Sequence, residues 1–157
     1  MLLPFFNWMQ NLPLSTAVQA SAWIAAVVNI LHLISLSFFA GAVLIVDLRL
    51  LGTGARNQTV AQLAGDARPW QLGGLLALFL TGLPQLASLA IRNYYNFSFW
   101  FKMTALLLAV IYMFTIRRKV VFADPATVSP AQAKLVGFVS IALWMCVVIP
   151  ARLIGLT

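Results

Sequence analysis

Charge is what this 157-residue chain has least of: 8% of it is Asp, Glu, Lys or Arg, three residues are acidic, and there is one histidine and one cysteine. The lone Cys146 excludes an internal disulfide and any metal motif that needs two thiolates. So little charge beside 62% hydrophobic residues excludes a water-soluble division into core and surface. The apolar stretches are continuous rather than alternating, which excludes a transmembrane β-barrel. No nucleophile–base pair, metal-ligand cluster or phosphate loop stands out, so an enzyme is the least supported class. The opening residues lack the basic flank and small-residue cleavage site of a signal peptide, and the N-terminal segment is expected to stay in the mature chain.

What remains is an integral membrane protein. Apolar stretches at 22–51, 70–91, 99–116 and 131–156 are each near or above the ~20 residues that a helix needs to cross a hydrocarbon layer. They predict an all-α bundle of four transmembrane helices in one membrane domain, 1–157. The first stretch, about 45 Å long if helical throughout, should tilt or project beyond the layer. Before it, Phe5, Phe6, Trp8 and Met9 lie between Pro4 and Pro13 and predict a short interfacial helix over roughly 4–12. Small residues at helix-packing spacing (Ser37 and Gly41; Gly73, Gly74, Ala77, Thr81 and Gly82; Gly137 and Ser140) point to close packing. Pro84 and Pro150 predict kinks.

Seven of the ten basic residues fall in or beside the first and third loops: Arg49, Arg56, Arg68, Arg117, Arg118, Lys119 and Lys134. Arg92, Lys102 and Arg152 belong to the other side. The positive-inside rule then predicts cytoplasmic first and third loops and both termini outside. Topology and lipid headgroups account for the formal charge of +7 better than nucleic acid does. Membrane lipids are the expected partners, and a chain this short is expected to work as a homo-oligomer or as a subunit of a larger membrane complex.

The polar residues inside the apolar stretches are the candidates for chemistry. His32 lies about ten residues, hence ~15 Å, inside the first helix, near the middle of the bilayer. Asn29 and Ser35 share its face at spacings of three, a stripe that should avoid lipid, and His32 is either a neutral histidine hydrogen-bonded to a neighbouring helix or a ligand, proton-relay or cofactor residue. Met145 and Cys146 in the fourth helix fall at a similar depth, and His, Cys and Met together are soft ligands suited to monovalent copper. Ordinary packing is the competing role for both. Lys102 and Arg152, about one turn inside the outer boundary, either snorkel to headgroups or line an outward vestibule with Asn93, Tyr94 and Asn96 that would attract an anion. Asp47 and Arg49, two apart, cannot face each other on a helix. Asp47 is expected to pair with Arg117, Arg118 or Lys119, or to cap a neighbouring helix, as a structural clamp. It lies roughly 22 Å along the axis from His32, so the two belong to separate sites.

The order "HLISLSFFAG", "VDLRLLG", "RPWQLGGLLALFLTG", "YYNFSFWFK" and "SIALWMCVVIPARLIG" resembles a family of small bacterial four-helix inner-membrane proteins known as a domain of unknown function. The resemblance covers nearly the whole chain and marks His32, Gly41, Asp47, Arg49, Gly52, Gly82, Asn96, Phe99, Lys102, Trp144, Arg152 and Gly155. It implies a bacterial inner (cytoplasmic) membrane protein. More distantly the pattern is similar to copper-resistance CopD-like proteins and to b-type cytochrome bundles. One histidine per chain excludes bis-histidine haem within a monomer, leaving a haem shared between two His32 residues of a dimer. Three functions stay open: a non-enzymatic binding, transport or accessory module with an outward polar cavity at His32, Lys102 and Arg152; an electron-transfer anchor for haem or quinone; and copper handling through His32, Met145 and Cys146.

Overall fold

A computed structural model describes residues 2–54 and 57–154; Arg56, Gly155 and the last residue of the 131–156 stretch lie outside them. Among the described residues the chain is all helical. Two short helices, α1 (Leu3–Gln10) and α2 (Pro13–Ala20), precede the long α3 (Ala22–Leu50). After a loop, α4 (Val60–Ser88) returns, followed by the short α5 (Ala90–Tyr95). Then α6 (Phe97–Tyr112) runs through a π-helical turn, Met113–Arg117, into α7 (Arg118–Val121), and α8 (Pro130–Ile154) completes the bundle. Four continuous helical spans, Ala22–Leu50, Val60–Ser88, Phe97–Val121 and Pro130–Arg152, are long and apolar enough to cross a membrane, and the chain is a multi-pass membrane protein. The end that holds α1, α2 and α5 is termed the terminal end, and the end with the two longer loops the basic end.

The interfacial helix expected over 4–12 is α1, and α2 follows it, since Pro13 can open a second helix as readily as it ends the first. Ser15 Oγ donates to Met9 O (2.8 Å) and closes the pair. α1 buries Phe6 and Met9 against Ala87, Ala90 and Phe99, while Phe5 and Trp8 face outward.

α4 begins ten residues before the expected 70. Thr59 accepts from Gln62 N (3.2 Å) and Gln62 Oε1 accepts from Thr59 N (3.1 Å), a reciprocal cap that starts the helix inside a polar stretch. Pro69 sits within α4, and Leu63, Ala64 and Ala67 pack on Val46, Leu50, Val121 and Val136. The third span also outruns its expected end at 116, because the basic run Arg117–Lys119 is helical rather than loop.

α3 and α4 form an antiparallel hairpin held in one register. Gln85 Nε2 donates to Val28 O (3.3 Å), His32 meets Thr81, Gly74 faces Phe39, and Gln71 Nε2 donates to Ala42 O (2.9 Å). The two residue numbers of each pair add to the same total, so the helices nowhere slip past each other. The same register sets Trp70, stacked on Phe38 with ring centroids 5.9 Å apart, level with Val43. From Trp23 to that level is about 20 residues, or ~30 Å, the thickness of a hydrocarbon layer. α3 and α4 are thus each longer than a single crossing of such a layer needs. α8 packs against α3 and α6 and closes the bundle.

Gly74 is where the hairpin is tightest. A Cβ there would lie 2.9 Å from Phe39 Cβ and 3.0 Å from its Cα, whereas one on neighbouring Gly73 meets nothing within 4 Å. Gly74→Ala is expected to destabilise the detergent-solubilised protein by about 1–3 kcal/mol, and Gly73→Ala to leave thermal unfolding unchanged or slightly raised. Equal effects at both glycines would contradict this packing.

Candidate functional site

The polar residues gather at two levels of the bundle. At the basic end the arrangement begins with how "DLRLLG" folds. Gly52, at φ 85°, takes the left-handed position that ends α3; its N–H donates to Arg49 O (3.1 Å), and Thr53 N donates to Leu48 O (2.9 Å). Arg49 turns away and donates from Nε to Gln58 O (3.0 Å), bracing the loop. Asp47 is fully buried, at 0% exposure, facing the other helices.

Of the three cations the sequence offered it, Asp47 takes Arg117, whose Nε donates to Oδ1 at 2.7 Å. Ser140 Oγ of α8 donates to Oδ2 at 2.6 Å, and Arg117 Nη2 donates to Val43 O at 3.3 Å. One carboxylate thus joins α3, the π-helical turn and α8. Gly137 makes room for it: a Cβ there would lie 2.9 Å from Asp47 O and 3.0 Å from Leu50 Cβ, and Ser140 follows one turn later on the same face.

The π-helical turn is what aims Arg117. Ala105, Ala109, Met113, Arg117 and Val121 are all buried, every fourth residue. In an unbroken α-helix such a stripe drifts by about 40° per step, which would carry its far end toward lipid. One extra residue in the turn cancels much of that drift and keeps Arg117 and Val121 on the inner face. The sequence carries no signature of this turn. Ser140 stood in the sequence only as a small packing residue.

The second level is in the middle of the membrane. His32 lies about nine residues, ~14 Å, below Trp23. Its Nδ1 is 2.9 Å from Thr81 Oγ1, and Thr81 Oγ1 is 2.7 Å from Ala77 O, a main-chain oxygen that can only accept. The Thr81 hydroxyl therefore donates to Ala77 and accepts from an Nδ1–H, which leaves the lone pair of His32 on Nε2. Gly82 lets the ring lie flat on α4, since a Cβ there would meet Cε1 at 3.2 Å. Nε2 has no hydrogen-bond partner among the described residues. Lys102 of α6 is half-buried. Its ammonium has no hydrogen bond or ion pair among the described residues.

The other expected residues are dispersed. Asn29 faces outward, and Ser35 Oγ donates back to Leu31 O (2.8 Å). Asn93 of α5 is buried against the end of α4, where its Nδ2 reaches Leu86 O at 3.5 Å. Tyr94 lies among Phe6, Tyr95 and Trp100, and its carbonyl accepts from Trp100 Nε1 (2.9 Å). Asn96 Oδ1 caps α6 by accepting from Ser98 N (2.9 Å). Arg152 is exposed at the end of α8. Met145 and Cys146 face outward from α8, and no group of three or more His, Cys, Asp and Glu side chains is placed to hold a metal among the described residues.

Residues 5–157 match a family of unknown function (DUF6644), and the chain belongs to that family. No curated protein and no solved structure matches it.

The buried pair sets a measurable expectation. Asp47→Asn leaves Arg117 uncompensated away from water and should cost about 3–5 kcal/mol of stability. Replacing both residues, Asp47→Leu with Arg117→Met, should recover most of that loss in denaturant titrations. Additive losses in the double variant would show that the two charges do not act as a pair.

Proposed function

We propose that this protein is a non-enzymatic binding or accessory module of the bacterial inner membrane, with its terminal end outside and His32 and Lys102 as the ligand-holding groups. The reading rests on one observation: two polar groups in the membrane-spanning region, one on α3 and one on α6, have complementary unmet needs. Among the described residues, His32 Nε2 offers a lone pair without a donor, and Lys102 offers a half-buried ammonium without an acceptor. Unpaired polar atoms at such depth are costly, and intramembrane ionisable residues mark binding or transfer sites.

A ligand that satisfies both presents a hydroxyl to Nε2 and an oxygen acceptor or oxyanion to Lys102, the chemistry of a quinol or a protonated carboxylic acid. Thr81 fixes the ring through Nδ1, as a positioning group does for a histidine that binds through its other nitrogen. The outward-facing Met145 and Cys146 give copper handling no comparable support.

Because the chain has one histidine, 15N-histidine labelling yields the signals of a single imidazole. In lipid nanodiscs we expect a protonated Nδ1 and an unprotonated Nε2, with Nε2 alone shifting as decylubiquinol is titrated. Lys102→Met should weaken that response by about tenfold, the loss of one charge-assisted hydrogen bond. A reversed tautomer, or an Nε2 signal indifferent to the quinol, would overturn this assignment. A Soret band that disappears in His32→Ala would reassign Nε2 to iron.

A further inference from the structure

At the opposite end of the bundle, between α4 and the π-helical turn, lies an open cavity of about 560 Å3 lined by Arg68, Phe114, Thr115, Arg118, Lys119 and Phe122. A smaller recess of about 40 Å3 continues from it toward Gln71 and Arg117. We infer that this cavity is a binding site for one anionic phospholipid, with the phosphate held by Arg68, Arg118 and Lys119 and the acyl chains lying between α4 and α6.

The charge balance is one-sided. Arg68, Arg118 and Lys119 have no ion pair among the described residues. The chain has three acidic residues, and none lines the cavity. Asp47 is consumed by Arg117 and Ser140. Asp124 accepts from Ala126 N (3.0 Å). Asp66, two residues before Arg68, points about 200° away around α4. Three cations without an acid at a helix end attract a phosphodiester and repel other cations.

Level and lining favour a lipid over a free anion. Arg68 lies two residues beyond Trp70, at headgroup depth on the register set by the α3–α4 hairpin. Below the cations the walls turn apolar and stay exposed: Leu72 and Leu76 descend α4 at spacings of four, and Phe114 of the π-helical turn leads to Ile111 and Leu107 of α6. α3 packs on α4 and α8, and α8 on α6, whereas α4 and the span of α6, which border the cavity together, make no extensive backbone contact with each other, so a seam between them runs down from the cavity. The π-helical turn completes the site, because the twist that sends Arg117 inward to Asp47 leaves Arg118 and Lys119 outward.

Native mass spectrometry of protein released from nanodiscs tests the site. From discs of equal phosphatidylglycerol and phosphatidylcholine, the wild type is expected to retain one phosphatidylglycerol and no phosphatidylcholine. Arg68→Ala and Arg118→Ala should each lower that retention about fivefold, and Arg92→Ala, at the terminal end, should leave it unchanged. These arginines are exposed, so far-ultraviolet circular dichroism should be the same for all variants; Lys119→Ala serves if either arginine variant fails to fold. Equal retention of both lipids, undiminished retention in the variants, or displacement by millimolar inorganic phosphate would each overturn the proposal.

Discussion

The bundle is organised around one carboxylate. Asp47 of α3 is buried where three helical segments meet, with Arg117 of the π-helical turn supplying a charge and α8 supplying a hydroxyl from Ser140 and space at Gly137. A buried ion pair is weak evidence of net stability, because desolvation offsets much of the attraction. It is strong in what it forbids, since any sliding of α3, α6 or α8 strands a charge in apolar surroundings. The pair is therefore read as a device for register at the basic end of the bundle.

Seen this way, the two halves of the α3–α4 hairpin divide the labour. Glycine and glutamine do the locking within the membrane, through Gly74 against Phe39 and side-chain amides donating to main-chain oxygens. Such bonds add donors to carbonyls already used within the helix and tie the two backbones together. His32 departs from that economy, since only one of its two nitrogens is committed to the fold.

The four spans were legible because continuous apolarity over about 20 residues has no other physical outcome in an α-protein. Their ends were less legible. Thr59 and Gln62 have the spacing of a capping box, but Asp66, Arg68 and Pro69 mask it with the composition of a loop. The choice of partner for Asp47 narrowed to a run of three cations and no further, because choosing among Arg117, Arg118 and Lys119 requires the angular phase of a helix whose period changes partway. Tyr94 and Asn96 carried side chains suited to a vestibule, but local geometry engages them first, in an aromatic cluster and a helix cap. His32 and Lys102 stood out by their depth in apolar stretches, while the residue that bonds the imidazole, Thr81, looked like one more small residue.

The π-helical turn makes the chain tolerant of one particular shortening in a way that composition conceals. Removing any one residue between 113 and 116 would keep every apolar residue apolar and would restore a regular α-helix. Because the turn absorbs one residue more than an α-helix needs, everything downstream would keep its angle and the arginine would still meet its acid. The disruptive change is the reverse one: the full-length segment wound as a regular α-helix would turn the arginine off its acid, and the two outward cations off their seam, by about 100°. Within this segment length and winding are thus a single variable, and a deletion is the gentler kind of variation.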